Sequence, residues 1–263
     1  MREGWQTATL AEKIPEAVLR QDAGLIRRAL DGDARGLHVD WQFSLRQGWL
    51  EVRVKGEGAE AFLNLLGEKF GRAPVESSQV QKWDVLKGFI TASGRVGFGV
   101  YADLGLFEPA RKDALYPLHR MRAQLADGVA KPCRDILVEN ALVDYFPLKV
   151  QVTEIDGDKL SVELADQTRE MFLSWRKLPF DRVLAIGVGM EHVERVVRSA
   201  GLQYDVIKVE PLSLAVQSLL CKMGTDAPGI ISKIGGRLRG VGLASFRAPV
   251  RSREKPAAKP HAQ

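Results

Sequence analysis

The chain has 263 residues, of which 45% are hydrophobic and 27% are charged, a composition that excludes wholesale disorder and a fibrous fold. The net charge is +5, no apolar run approaches the roughly 18–20 residues of a membrane helix, and the first residues lack the apolar core of a signal peptide, so we expect a cytoplasmic protein with no membrane association. Two cysteines far apart in the sequence, Cys133 and Cys221, make a disulfide framework and a cysteine-based zinc site improbable.

Residues 1–80 have the pattern of a small α+β domain. Apolar alternation predicts strands, two of them joined by a short turn as a hairpin, and runs with helical periodicity predict two helices. The predicted elements are a strand over 6–14, a helix over 16–30, a hairpin of 38–45 and 49–55, a helix over 58–70 and a completing strand near 79–85. This order is typical of a ferredoxin-like unit.

Residues 82–164 predict a β domain with a charged insertion. The strands are predicted over 84–92, 94–104, 147–155 and 159–164. Between them, residues 113–126 have helical periodicity, and Asp156-Gly157-Asp158 is a strong hairpin turn. The insertion is basic, because residues 111–134 carry six Lys and Arg against two Asp.

Residues 165–246 follow the order strand, helix, strand, strand, helix, strand after a connecting helix. The predicted elements are helices over 167–175, 190–200 and 228–239, and strands over 182–188, 204–214, 214–223 and 242–246. This order predicts a second ferredoxin-like unit. Residues 247–263 hold five basic residues and one acidic residue among Pro and Ala, so we expect a disordered basic tail. Such a tail either attracts polyanions or only adds solubility.

The most specific stretch is the glycine-rich run 88–105, GFITASGRVGFGVYADLG. It resembles the opening of the S-one domain, the OB-fold RNA-binding repeat of bacterial ribosomal protein S-one, and the matching positions are Phe98, Gly99, Tyr101, Asp103, Leu104 and Gly105. The hairpin around Asp156 resembles the closing hairpin of that family. The resemblance implies a central OB β-barrel that binds RNA. The sequence departs from the family at 106–109, where no histidine stands, and in the long insertion over 110–146.

Phe98 and Tyr101 are the candidate stacking residues. Alternate residues of a strand share one surface, on which bases of single-stranded nucleic acid stack against aromatic rings. We expect Phe98 on that surface, whereas for Tyr101 the surface and the core are equally open. The cations expected to hold phosphates are Arg95, Arg111, Lys112, His119, Arg120 and Arg122, several of them on one helix face. The alternative for such charge runs is an ordinary solvated face.

Further motifs extend the resemblance over nearly the whole chain. Residues 112–118 (KDALYPL), 145–148 (YFPL) and 221–227 (CKMGTDA) resemble an archaeal family of uncharacterised proteins, defined by a domain of unknown function with an S-one-like centre. The resemblance implies an archaeal cytoplasmic protein and supplies no activity. The predicted fold class is therefore α+β, with a central S-one-like OB barrel flanked by two ferredoxin-like units and followed by the basic tail.

Two glycine turns in the third segment are candidate anion or ligand loops. Gly187-Val188-Gly189 lacks the third glycine of a dinucleotide site, so a tight turn is the better interpretation. The run 224–230 precedes a helix and is similar to the ligand loop of amino-acid-sensing ACT domains, although too little chain follows for a complete ACT unit. Its candidate residues are Lys222, Gly224, Thr225, Asp226 and Gly229. The alternative is a well-capped helix.

The sequence contains no recognisable catalytic motif. The four histidines have no second His or Cys at metal-ligand spacing, and neither GxSxG nor a P-loop occurs, so we assign no catalytic residue, metal or cofactor. We interpret the chain as a non-catalytic RNA-binding protein associated with rRNA or with the translation and RNA-processing machinery. The alternatives are a ligand-sensing or protein-interaction module built on the 224–229 loop, and a metal-dependent nuclease. The sequence fixes neither the oligomeric state nor any protein partner.

Overall fold

The computed structural model describes residues 4–157 and 159–249 and has a mixed α+β architecture. A closed five-strand barrel lies between an N-terminal unit built on a three-stranded sheet and a C-terminal unit built on a four-stranded sheet. Most of the expected basic tail, from residue 250 onward, lies outside the described residues. Throughout the described part, every helix is too short or too polar to cross a lipid bilayer.

The N-terminal unit packs its helices on one face of its sheet. Its strands are arranged in the antiparallel order β1-β3-β2. Alternate residues of β3, Leu50, Val52 and Val54, point toward the helices and pack in one core with Phe62 and Leu66. The elements are β1 (Gln6–Lys13), α1 (Glu16–Gln21), α2 (Leu25–Ala34), β2 (Val39–Arg46), β3 (Trp49–Gly56) and α3 (Ala59–Phe70).

Two expectations for this unit were wrong. The single helix predicted over 16–30 is divided into α1 and α2, with the backbone N–H of Asp22 closing α1 by a bond to Val18 O. The completing strand predicted near 79–85 does not join the described sheet. Residues 71–73 make only brief backbone contact with β1, and the chain then enters β4 (Val75–Glu76), which pairs with the barrel, and a 3₁₀ turn over Ser77–Gln79. Pro74 removes a backbone donor where that strand would have had to continue.

The second and third barrel strands along the chain lie at the two ends of the sheet. They also pair with each other, and this pairing closes the barrel. Each strand pairs with its neighbour in the order β6-β5-β8-β9-β7, and β7 then returns to β6. The β7–β9 pair is parallel, and the other four pairs are antiparallel. The strands are β5 (Val85–Thr91), β6 (Gly99–Glu108), β7 (Lys112–Pro117), β8 (Pro147–Asp156) and β9 (Lys159–Leu164).

The insertion after β6 differs from the prediction. The helix expected over 113–126 begins only at Leu118, because Lys112–Pro117 is a barrel strand whose Ala114 and Tyr116 point into the core. Pro117 then caps the first of two helices, α4 (Leu118–Leu125) and α5 (Cys133–Glu139). A third helix, α6 (Asp166–Lys177), closes the barrel core with Phe172, whose ring stacks 5.8 Å from that of Phe146.

The C-terminal unit is an antiparallel sheet in the order β11-β12-β10-β13 with two helices on one face. Val193 and Ile230 of these helices pack against the apolar side of the sheet, as their spacing predicts. The opposite side contacts the barrel region, where the Phe246 ring lies 5.4 Å from that of Trp175. The elements are β10 (Arg182–Ile186), α7 (Met190–Ser199), β11 (Val206–Ser213), β12 (Val216–Cys221), α8 (Ala227–Ile234) and β13 (Gly242–Phe246).

Candidate nucleic-acid interface

Phe98 projects from the loop that connects β5 to β6. Its side chain is 55% exposed, which confirms the expectation that it lies on the surface. Its carbonyl oxygen accepts a bond of 2.8 Å from Leu118 N, so the start of α4 is fixed beside it. The next residue, Gly99, lies so close to β7 that an added Cβ would stand 2.5 Å from Tyr116 O. Glycine therefore allows β6 to pair tightly with β7 directly after the exposed ring.

Tyr101 lies on the outer surface of the barrel and is half-buried. Its neighbours in β6, Val100 and Ala102, point into the core, so alternation places the Tyr101 ring outside. Cross-strand register puts Thr91, Tyr101, Leu115 and Ser161 in one row over four strands. This outer row (residues 91, 101, 115 and 161) is half-buried at every position. Its member on β6, Tyr101, follows Phe98 by three residues.

The N-terminal unit covers the part of the outer surface adjoining this row. Phe89 and Asp103 are paired in register on β5 and β6, and both are buried beneath Trp49 of the N-terminal unit. The Trp49 ring meets that of Phe89 edge to face at 5.4 Å, and Phe107 belongs to the same cluster. A ligand on the barrel surface therefore has access to the outer row but not to these covered positions.

Asp103 joins the two units through a buried set of polar contacts. The side chain is 1% exposed and accepts hydrogen bonds from Lys13 Nζ at 2.6 Å and Trp49 Nε1 at 3.1 Å. The backbone N–H of Gly105 and the Arg111 guanidinium donate to it as well, at 2.9 and 3.1 Å. Asp103 carried part of the resemblance to S-one domains, and these contacts give it a structural role between the two units. Arg111, expected at the RNA surface, is held in this contact.

Two titratable groups border Asp103. Asp113 lies opposite Asp103 in the β6–β7 register, and burial, followed by the negative charge of Asp103, raises the pKa of the Asp113 carboxyl. Lys13 Nζ stands 5.3 Å from the ring centre of Tyr145, whose pKa is raised by burial and then by nearby carboxylates. Both groups lie beside the contact between the two units.

The remaining predicted cations are in different situations. Arg95 is exposed in the same loop as Phe98, and His119 is exposed on α4, one residue after Leu118. Arg120 pairs with Glu163 of β9 at 2.6 Å, and Arg122 donates from Nε to Lys131 O at 2.8 Å. Lys112 begins strand β7 rather than standing on a helix. The structure therefore places Arg95 in the Phe98 loop and His119 next to Leu118, whose N–H bonds to Phe98 O. Tyr101 lies in the outer row, three residues after Phe98.

The predicted ligand loop before α8 is a capped helix start. Asp226 accepts a bond from Gly229 N at 3.2 Å, and Asp181 accepts one from Ala227 N at 3.1 Å. An added Cβ at Gly229 would stand 2.7 Å from Asp226 Oδ1, which explains a small residue there. Lys222 and Gly224 form the exposed turn before the cap, and Thr225 N bonds to Lys222 O. The chain's own carboxylates already bind the N–H groups of Ala227 and Gly229.

Sequence reasoning missed Trp83, which it placed at a segment boundary. The ring is 58% exposed, and the Lys82 ammonium lies 4.8 Å from its centre. The only sequence signal was an aromatic residue beside a lysine just before a predicted strand. Within residues 4–157 and 159–249, no three His, Cys, Asp or Glu side chains are grouped to hold a metal ion.

Two protein-family models match the chain. The DUF2110 central domain matches residues 80–176, which contain the barrel with α4, α5 and α6, and the DUF2110 C-terminal domain matches residues 180–244. Together the two matches span more than half of the chain. No curated protein matches it.

Proposed function

The chain belongs to the DUF2110 family, and we propose that it is a non-catalytic protein that binds single-stranded RNA at the uncovered end of its barrel. The observation that carries this proposal is the exposed Phe98 ring at the start of strand β6. A phenyl ring held in solvent directly before a barrel strand offers a surface on which a base stacks, and each such contact is worth about 1–3 kcal/mol.

The strand order supports assigning the barrel to the OB fold. Numbered along the chain, its strands are connected as 1-2-3-5-4-1, the third and fifth run parallel, and helices lie between the third and fourth. OB folds bind oligonucleotides on the surface of strands 2 and 3 and on the loops between strands 1 and 2 and strands 4 and 5. Phe98 ends the first of these loops, and Tyr101 lies on strand 2.

The flanking units support the ferredoxin-like assignment to different degrees. The C-terminal unit has the chain order strand, helix, strand, strand, helix, strand and a fully antiparallel sheet in the order 2-3-1-4. The N-terminal unit has the first three strands in the corresponding order. We therefore propose a complete ferredoxin-like unit at the C-terminus and a three-stranded variant at the N-terminus.

The covering N-terminal unit limits how much RNA the barrel surface can hold. Phe89, Phe107 and Asp103 are inaccessible beneath it, so the path is restricted to the outer row and Phe98. Arg95 and His119 are the nearest predicted phosphate ligands. Arg120 and Arg122 already have protein partners and contribute less. The resemblance to S-one domains favours rRNA or the translation machinery as the target and the cytoplasm as the location.

The test is fluorescence anisotropy of a labelled 15-nucleotide single-stranded RNA titrated with the full chain at several salt concentrations. We expect Phe98→Ala to weaken binding about tenfold, since one stacked base is lost. Arg95→Ala should lower the slope of log affinity against log salt by about 1. Tyr204→Ala removes an even more exposed ring, 79% exposed, from the C-terminal unit and serves as the matched control. Absence of RNA binding by the unaltered protein would overturn the proposal.

A gel assay distinguishes this proposal from the alternative that the protein is a metal-dependent nuclease. RNA incubated with the protein and magnesium or manganese should be recovered at full length on a denaturing gel. Metal-dependent shortening of the RNA would replace the non-catalytic proposal with a catalytic one.

A further inference from the structure

A basic groove of about 550 Å³ lies between the barrel and the end of helix α3, away from the outer row. Its walls come from strands β5 and β8, from residues 68–72 and from α6. Four cations line it, Lys69, Arg72, Lys87 and Lys149, against one acid, Glu68. The lining side chains therefore carry an excess positive charge of three, two of which are offset by the carboxylates of Asp33 and Glu12 outside the lining.

The lining cations retain donors for a ligand. Lys69 pairs with Asp33 at 2.6 Å, and Lys87 pairs with the buried Glu12. Lys69 also donates to Ala29 O at 3.3 Å. A lysine ammonium has three donors, so these partners saturate neither lysine. In the described ranges, Lys149 has no carboxylate within ion-pair distance, and its side chain is exposed. Lys149 is thus the cation most available to a phosphate.

Trp83 stands where β5 begins, two residues before Val85, which lines the groove. Its backbone has φ of 79°, a left-handed conformation that is uncommon for a residue with a bulky side chain. Strand β8 fixes this conformation: Trp83 N donates to Val152 O at 2.8 Å, and Gln151 Nε2 donates to Trp83 O at 3.3 Å. Non-glycine residues held in this way cluster at ligand sites.

The surroundings of Trp83 combine apolar surface with positive charge. Lys82 lies over the ring, while Val85 and Ile155 are also exposed large apolar residues. A flat ring flanked by an ammonium matches a nucleotide, whose base stacks and whose phosphate pairs with the cation. An acidic peptide would use the cations but would gain little from the exposed indole ring.

We propose that Trp83 and this basic groove form a second binding surface for single-stranded nucleic acid. One base stacks on Trp83, and the phosphates that follow lie along Lys149 toward Lys87 and Arg72. This inference rests on the proposed RNA-binding function, and it adds a contact on a different side of the barrel from Phe98.

The experiment uses the full chain and a 15-nucleotide oligouridine probe. We expect Trp83→Ala to weaken binding about tenfold and Trp83→Phe to stay within about twofold of the unaltered protein, because phenylalanine still stacks. Lys149→Glu should weaken binding and reduce its salt dependence. Oligouridine should also quench tryptophan fluorescence in the unaltered protein and much less in Trp83→Phe. Tyr204→Ala is the control for loss of an exposed ring.

The outcomes separate this inference from the function on which it rests. If oligouridine binds the unaltered protein while Trp83→Ala and Lys149→Glu bind equally well, the groove is not a nucleic-acid surface and the Phe98 site still stands. If the unaltered protein does not bind oligouridine, the proposed function itself fails. If a poly-glutamate peptide competes with the probe and is bound equally well by Trp83→Ala, the groove is a peptide site and the inference is wrong.

Discussion

The sharpest stability prediction concerns Asp103, which joins the barrel to the N-terminal unit. Replacing it by Asn keeps the size of the side chain but leaves Lys13 buried without a counter-charge, since Lys13 is bonded to Asp103 at 2.6 Å. Removing one partner of a buried ion pair costs about 3–5 kcal/mol. At roughly 2–4 °C per kcal/mol for a chain of this size class, we expect Asp103→Asn to lower Tm by about 6–20 °C.

A double-mutant cycle separates the charge effect from general damage. Lys13→Met alone should also destabilise, because it leaves Asp103 with the more exposed Arg111 as its only cation. Combining Lys13→Met with Asp103→Asn removes both charges, and the double variant should cost clearly less than the sum of the two single changes. The assay is thermal unfolding followed by circular dichroism, with limited proteolysis to detect release of the N-terminal unit. A Tm for Asp103→Asn within 2 °C of the unaltered protein would refute the reasoning.

Three further predictions test the packing and electrostatics of the fold. Burial and the opposing carboxylate raise the pKa of Asp113, so its ionisation costs stability as pH rises through the carboxyl range. In parallel melting curves, Asp113→Asn should therefore raise Tm by about 2–4 °C at pH 7 and leave Tm unchanged near pH 3.5. Gly99→Ala should lower the free energy of unfolding in urea by about 1–3 kcal/mol, because its Cβ would meet a carbonyl oxygen at 2.5 Å. Gly97→Ala, with open space around the residue, should be neutral. Equal effects of the two changes would contradict the assigned packing. Cys133 and Cys221 are buried, and burial raises the pKa of the Cys221 thiol to about 11. A thiol reagent at pH 8 should therefore label both cysteines only after unfolding. Rapid labelling of the native protein would show that they are accessible.

Local patterns predicted most strands and several helices, because alternation and turn residues act over short distances. The hairpin of β2 and β3 and the hairpin of β8 and β9 were predicted within one or two residues. Lys112–Pro117 was misread because a six-residue segment with apolar residues at several spacings fits either period. Its pairing with the neighbouring strand β6 and with β9, which is distant in sequence, decided the outcome.

The candidate site was predictable only in part, because several of its contacts join residues that are distant in sequence. Phe98 was correctly placed at the surface, but the strand predicted over 94–104 begins only at Gly99, so Phe98 lies in the loop before it. The burial of Asp103 depends on Lys13 and Trp49, which lie 90 and 54 residues away, and a lone lysine in an apolar strand was its only local sign. Trp83 is held in its exposed position by a backbone hydrogen bond to β8. No sequence pattern near residue 83 could indicate that bond.

The most direct test of RNA binding at the barrel is ultraviolet crosslinking of the full chain to oligouridine, followed by mass spectrometry of the crosslinked peptides. We expect crosslinks on the peptide that contains Phe98 and Tyr101. Crosslinks confined to the C-terminal unit, or none at saturating RNA, would contradict it.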